Sequence, residues 1–396
     1  MIKSDILILG AGASGLTCAA LATAGGHSVT LIEGEEKAGR KILVSGGGKC
    51  NFTNMEVTPA NFISQNPHFC KSALARCTQW DTISKLAEQG IPYEEREEGR
   101  LFCTRSASDV VDILLGDCLA SGCRIHYGKS IEEVRWREPF FEVVSSGGTY
   151  SARALVVATG GPSWPQIGAT DIGARIAKQF GHNVIPFRPA LVPFVMHSSW
   201  PLHGLSGISL PVAISCQGKT FCEALLFTHK GISGPATLQI SNYWHPRLPI
   251  EINFLPAEDV EGLLRQGGKG KVRNLLSKLL PDRLMYRLLT GFEPLLEMNI
   301  AELSRASIEH IVDAVHKHTV VPDRTEGMHK AEAACGGIST TDISSKTMES
   351  KLRKRLYFTG EVLDVTGQLG GYNLQWAWAS GRAAGLALKS ITPENL

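Results

Sequence analysis

A chain of 396 residues, 43% of them hydrophobic and 20% charged, has the length for a large core and the make-up of a globular protein, which excludes disordered and fibrous classes. A formal net charge of +2 does not by itself announce a nucleic-acid partner, and ten scattered cysteines without a CxxC pair suit neither a zinc site nor a disulfide scaffold, so a reducing compartment is expected. No run reaches the roughly 18 apolar residues of a membrane span and no signal peptide precedes the first glycines, so the expectation is a cytoplasmic protein without a membrane partner.

Ile6-Leu7-Ile8-Leu9 is a continuous apolar run of the kind buried on both faces in a parallel sheet. Gly10-Ala11-Gly12-Ala13-Ser14-Gly15 follows, then a helical stretch from Leu16, then a second strand at Ser28–Ile32 with Glu33 at its end. In this order Gly10 permits a tight turn, Gly12 lets backbone approach a pyrophosphate, and Gly15 allows helix and strand to pack closely. The helix start, through Ala13 and Ser14, offers free N–H groups to the anion. Glu33 is placed to accept from ribose hydroxyls, which favours FAD or NAD over a 2′-phosphorylated nucleotide.

Two later segments favour FAD. Gly39-Arg40-Lys41 leads into Ser45-Gly46-Gly47-Gly48-Lys49-Cys50-Asn51, where three bare glycines admit a flat or anionic group and two cations stand nearby. Near the end, Leu356–Glu361 closes a strand at Gly360-Glu361, Asp364 follows, and Gly370-Gly371-Tyr372-Asn373-Leu374 opens a helix. N–H groups there suit the flavin pyrimidine oxygen, which gains charge on reduction. Between these segments the residues predict a helical region at 68–89, a helix opened by a Ser106/Asp109 capping box, strands at 124–127, 131–136 and 140–144, and a buried strand ending in Thr159-Gly160-Gly161.

Prolines 186, 189 and 193 mark a change of domain. The expected organisation is a first FAD-binding part at 1–188 and an insertion at 189–330, β-rich over 189–256 and helical over 257–330. A return segment over 331–396 completes the nucleotide fold. The fold class is therefore α/β, a Rossmann-type FAD-binding domain of the glutathione-reductase-like kind with an inserted β-rich and helical domain. No second GxGxxG follows a strand, so NAD(P)H, if it reduces the flavin, is expected only as a transient visitor.

The stretches GRKILVSGGGKCNFTN, VVATGGPSWPQIGATDIG, LFTHKGISGPATLQIS and TMESKLRKRLYFTGEVLDVTGQLGGYNLQWAWASG, in this order, resemble the YhiN-like bacterial flavoproteins, which are related to BaiN and described as aminoacetone-oxidase-family FAD-binding enzymes. The resemblance implies FAD contacts from Ser14, Glu33, Arg40, Lys41, the Ser45–Cys50 loop, Asp364, Asn373 and Leu374, with the Val134 backbone meeting the adenine. It also sets Thr159, Gly160 and Gly161 close to the cofactor. Where relatives tend to carry threonine before a glycine pair, this chain has Cys335 before Gly336-Gly337.

Three side chains are candidates for chemistry. Cys50, and more weakly Cys335, is either a proton donor beside the flavin or a small residue that packs. His229, with Lys230 in a polar loop of the insert, either faces the flavin across a domain cleft or completes a turn. Tyr372 either stacks or packs, Trp376 and Trp378 read as core, and no metal grouping is seen. Arg265, Lys269, Lys271, Arg273, Lys278, Arg283 and Arg287, with only Asp282 against them, and Lys351, Arg353, Lys354 and Arg355 are either phosphate-gripping faces or solvated surface. The function expected is an FAD-dependent reductase of an activated C=C bond, acting on uridine in ribosomal RNA or on a small unsaturated molecule. A flavin amine oxidase and a redox-sensing module without turnover are the alternatives.

Overall fold

The computed structural model describes residues 1–392. Two compact units emerge, one from Met1–Pro189 together with the chain from Glu332 onward, the other from Ala190–Ala331.

The first unit is built on a parallel sheet. Strand β1 (Ile2–Leu9) lies between β2 (Val29–Ile32) and β6 (Gly148–Val157); β3 (Arg124–His126) pairs with β2, and β7 (Leu356–Phe358) pairs with the last three residues of β6. Ile6, Leu7, Ile8 and Leu9 have no exposed surface, as the uninterrupted apolar run requires of a strand covered on both faces. The outer half of β6 continues antiparallel through β5 (Phe140–Ser145) to β4 (Ile131–Arg137). Helix α1 (Ala13–Thr23) crosses between β1 and β2, α2 (Arg40–Val44) follows β2, α3 (Ser108–Ala120) precedes β3, and α4 (Tyr372–Lys389) closes the described chain.

Several local expectations are corrected. The helical region at 68–89 is broken into Lys71–Arg76 and Gln79–Glu88, because Thr78 leaves the helical region and its side chain accepts from the Asp81 N–H as a new cap. The Ser106/Asp109 capping box does not form. Ser106 Oγ instead accepts from the N–H of Ser108, and Asp109 pairs with Arg105. A three-stranded antiparallel sheet of Asn51–Asn54, Arg100–Cys103 and Tyr93–Arg96 was not foreseen, since each residue of Tyr93-Glu94-Glu95-Arg96 is on the surface and the run carries no apolar alternation.

The second unit contains a seven-stranded sheet, ordered His318–Val320, Ile250–Asn253, Ser209–Cys216, Lys219–Phe227, Gly231–Ser233, Phe194–Val195 and Arg324–Thr325. At the start of the region expected to be β-rich only Phe194–Val195 is extended and paired, and Leu191 sits at φ +50°. The helical stretch consists of short pieces, of which Arg305–His316 is the longest at 12 residues. Their apolar faces, including Leu264, Leu276, Leu284 and Ile311, pack into one core with Phe227 and Ile252 of the sheet and with Phe254 just beyond it.

Candidate cofactor site

The register of the parallel strands brings their carboxyl ends to one edge: His126, Ile32, Leu9, Val157 and Phe358 are neighbours in line. Gly10, Glu33, Thr159–Gly161 and Gly360–Glu361 therefore all emerge on the same side, the side on which open α/β sheets receive ligands.

Within the first loop the three glycines have separate reasons. Gly10 has φ +105°, and a Cβ there would lie 2.6 Å from the Ala158 carbonyl oxygen. At Gly15 a Cβ would meet the Gly10 oxygen at 2.0 Å, so this residue sets how closely α1 approaches the strand. At Gly12 a Cβ would meet nothing within 4 Å. It faces open space at the helix start, a cradle suited to a pyrophosphate. The Glu33 carboxylate turns toward this loop, accepting from Ala11 N–H at 2.7 Å and Glu35 N–H at 3.0 Å. Burial pushes its carboxyl up, against the pull of those backbone donors.

A second open stretch is formed by Gly46, Gly47 and Gly48, all left-handed with φ of 56°, 65° and 85°. Gly47 has nothing within 4 Å of a would-be Cβ, whereas Gly46 is held against Phe102 and Asn51. Gly39 (φ +67°) is glycine because Val111 of α3 stands 2.7 Å from a Cβ there.

The relation of α1 to α4 places the far end of the site. A Cβ on Gly381 would strike the Ser14 carbonyl oxygen at 2.4 Å, one on Gly385 would meet Leu21 and the Cys18 oxygen, and one on Gly25 would meet Lys389 Cα. Contacts rise together along both helices, so the two run parallel with backbones nearly touching. Because Gly381 is level with Ser14, α4 overhangs the start of α1 by about 12 Å at 1.5 Å per residue. Both N-termini point the same way, and the overhang is sutured in place. Trp378 Nε1 donates to the Phe52 carbonyl, Trp376 Nε1 to the Gly360 carbonyl, Ser380 Oγ accepts from Gly360 N–H, and Thr53 Oγ1 donates to Gln375. Gly370 and Gly371 at its tip lie against Asn54 and Thr53, so the Ser45–Asn51 loop and the start of α4 come together. Tyr372 is buried there, edge-on to Phe62. Sequence reading placed both helix starts but missed the Gly381/Gly385 spacing that measures one against the other.

Other expected contacts are already engaged. Lys41 Nζ donates to Glu361 (2.6 Å), Ser163 (2.9 Å) and the Gly161 carbonyl (3.0 Å). Glu361 also accepts from the N–H groups of Ala334 and Gly161. Burial alone would raise the Glu361 carboxyl, but the Lys41 ammonium and these donors outweigh it and hold it below the usual range. The pair thus ties α2 to the ends of β6 and β7. Arg40 pairs with Glu35. Asp364 accepts from Gln65 N–H, and the Asn373 amide brackets the Gly367 peptide from both sides. At Val134 the carbonyl accepts from Gln179, which turns the N–H of the same residue to the unpaired edge of β4.

The acid candidates divide. Cys50 has no exposed surface, and burial pushes its thiol up to about 12. Cys335 is 3% exposed and is likewise raised by burial. Both thiols are therefore buried and protonated where they stand. The neighbouring glycines of Cys335 have a packing reason: Cβ atoms at Gly336 and Gly337 would strike the Pro186 and Val362 oxygens at 2.5 and 2.6 Å. His229 is exposed at the tip of the loop joining Lys219–Phe227 to Gly231–Ser233, while Lys230 pairs with Glu326 at 3.1 Å. The basic run of the second unit is also less bare than expected, since Glu261 pairs with Arg265 and Glu297 with both Lys271 and Arg273. Those acids come from sequence positions on either side of the run. In the other cluster Lys351 donates to the Thr341 carbonyl and Arg353 lies over the Trp136 ring.

A Rossmann sheet with two parallel helix starts along one ligand edge is a dinucleotide-binding architecture, and the family to which the chain belongs is one of FAD-dependent oxidoreductases. The chain belongs to the family described as HI0933-like protein Rossmann domain, whose model matches residues 4–387. It is 48% identical over 395 residues to the ribosomal RNA dihydrouridine synthase of Haemophilus influenzae, covering 97% of this chain and 98% of that one. It is 44% identical to the protein of the same name from Escherichia coli, covering 96% of each. A more distant relative, 29% identical over 96% of this chain and 98% of its own, is the 3-dehydro-bile acid delta(4,6)-reductase of Clostridium scindens. In fold the chain is similar to a 3-ketosteroid-delta4-(5alpha)-dehydrogenase from Rhodococcus jostii, with 14% identity, a TM-score of 0.51 and coverage of 98% and 97%. Membership of an enzyme family sets aside the module without turnover. Among the described residues no helix is long and apolar enough to cross a membrane.

Proposed function

We propose that this enzyme reduces a uridine of ribosomal RNA to dihydrouridine, with NAD(P)H as the transient source of electrons. The observation that carries the reading is the end-to-end similarity, at 48% and 44%, to two proteins named for that reaction. Bound and reduced, FAD would supply a hydride to one carbon of the activated C=C bond. The open face at Gly12 and the N–H groups of Ala13 and Ser14 would hold its pyrophosphate, Glu33 its ribose hydroxyls, and the outward N–H of Val134 its adenine. The Gly46–Gly48 loop and the start of α4 at Gly371–Tyr372 would receive the flavin end, where N–H groups favour the charge gained on reduction. Of the three acid candidates His229 is the exposed one, and it is the residue we propose as proton donor.

Mass spectrometry of ribosomal RNA from a deletion strain tests this directly. One dihydrouridine should disappear and return on complementation with the intact gene, and an unchanged modification profile would sink the proposal. A second reading, reduction of a small unsaturated molecule, is favoured by the bile-acid reductase relative. It predicts anaerobic flavin reoxidation by small enones in the absence of RNA. Amine oxidation draws no support from these relatives.

A further inference from the structure

A cavity of about 490 Å³ lies away from the strand ends, walled by the body of α1, the helix Gln79–Glu88, α3 and α4. Ala20, Leu86, Leu114 and Trp378 give it an apolar lining. Its size is in the range of small-molecule pockets, which combine such walls with a few placed polar groups. Four charged side chains reach it: Asp81, Lys85, Asp117 and Arg382. Three of them are spoken for. Lys85 pairs with Asp117, and Asp81 accepts from both the N–H and the hydroxyl of Thr78 as the cap of its own helix. Arg382 differs. It stands on α4 between Gly381 and Ala383, its Nε is buried without a hydrogen-bond partner, and its charge acts on the Asp81 carboxylate of the same cavity without closing to an ion pair. The buried Nε has no surface toward the cavity, so a ligand there would meet the terminal nitrogens of the guanidinium fork, to which a planar carboxylate is matched.

We propose that this cavity is a second ligand site, which takes a small amphipathic carboxylate with its apolar body among Ala20, Leu86, Leu114 and Trp378 and its carboxylate on Arg382. The paired Lys85 and Asp117 contribute no net charge at the mouth, and Asp81, which shares the field of Arg382, is turned to Thr78, so recognition of the anion falls to Arg382. The site is separate from the nucleotide edge, since it uses the body of α1 where the cofactor proposal uses its N-terminus. Because α1 and α4 are also the helices that carry both helix starts, an occupant here would stiffen the pair against each other.

The test is isothermal titration of the FAD-loaded protein with decanoate, using decanol as the uncharged counterpart. Saturable decanoate binding is expected. Arg382→Gln should weaken it roughly ten- to a hundred-fold, as the loss of charged hydrogen bonds implies, and leave decanol little changed. Arg382→Lys should recover part of the loss. Ala20→Phe, which projects a ring into the cavity, should remove binding of both probes while the flavin spectrum is retained. Absence of saturable decanoate binding to the wild-type holoenzyme would overturn the site. Equal affinity of wild type and Arg382→Gln would overturn the role of the guanidinium, and binding that survives Ala20→Phe would place the ligand elsewhere.

Discussion

Gly12 and Gly336 look alike in the sequence, each a glycine in a run of small residues. Gly12 has φ −82° and open space where a Cβ would point, whereas Gly336 has φ +91° and the Pro186 oxygen 2.5 Å away. The first is glycine for something that arrives, the second for something already there. The same division separates Gly47 from Gly371, Gly381 and Gly385, whose missing side chains let backbone lie on backbone. A glycine-rich run is thus a statement about close approach, and only the structure says which partner approaches.

The division can be broken by substitution. The largest loss of stability is expected from Gly381→Val, which forces branched carbon into the Ser14 carbonyl; about 3 kcal/mol or more should disappear in denaturant unfolding, with flavin lost at the same time. A wild-type midpoint would show that the helix pair is not packed as described. Next comes Lys41→Met, which strands the Glu361 carboxylate without its counter-ion. Lys41 is partly exposed, so the expected cost is about 2 kcal/mol, below that of breaking a fully buried pair. The pH dependence follows with its sign. Folding depresses the Glu361 carboxyl, so its contribution is complete above the ordinary glutamate value of about 4.3 and fades as pH falls below it. Glu361→Gln should flatten that limb of a stability-versus-pH curve.

The second unit should respond to acid earlier. Burial holds His318 at about 4, and Trp200 Nε1 donates to its ring at 3.4 Å. Its unfolded form takes up a proton near pH 6.5, so stability is complete above that value and drains away between about 6.5 and 4, by up to roughly 3 kcal/mol. His318→Phe should remove this slope, measured by urea unfolding across that range, and an unaltered slope would assign it elsewhere. Gly12→Ala sits at the small end for stability, within about 0.5 kcal/mol, yet it should cost flavin affinity on the order of tenfold, read by equilibrium dialysis. Loss of both together would erase the contrast with Gly336. Smallest of all, Arg287→Ala should lower the salt slope of RNA binding by about one, while Arg273→Ala, already held by Glu297, should lower it less.

The nucleotide fold was legible because its signals are local. An apolar run, a glycine loop, a helix and a terminal acid follow one another within the first 33 residues, and each element is dictated by its own neighbours. What escaped depended on partners far along the chain. Cys50 reads as reactive from the glycines before it, and its burial beside Cys103 becomes visible only when residues 50 and 103 meet. The Lys41–Glu361 tie joins positions 320 apart, and the one acid that neutralises both Lys271 and Arg273, Glu297, stands on a different helix. Tyr93–Arg96 was overlooked because an exposed edge strand needs no alternation, only a neighbour to bond with.

The parallel seating of the last helix on the first turns the molecule into its own ruler. Distance between the two proposed landing points is counted in peptide units from residue 372 to residue 381, and angle is counted with it, at about 100° per unit. One residue inserted into that interval would advance the N–H fan by only about 1.5 Å but swing it more than a quarter circle away from its target. Tolerance to length change should therefore be lowest in those nine positions, and a scan of single insertions would trace it as a sharp gap in flavin retention.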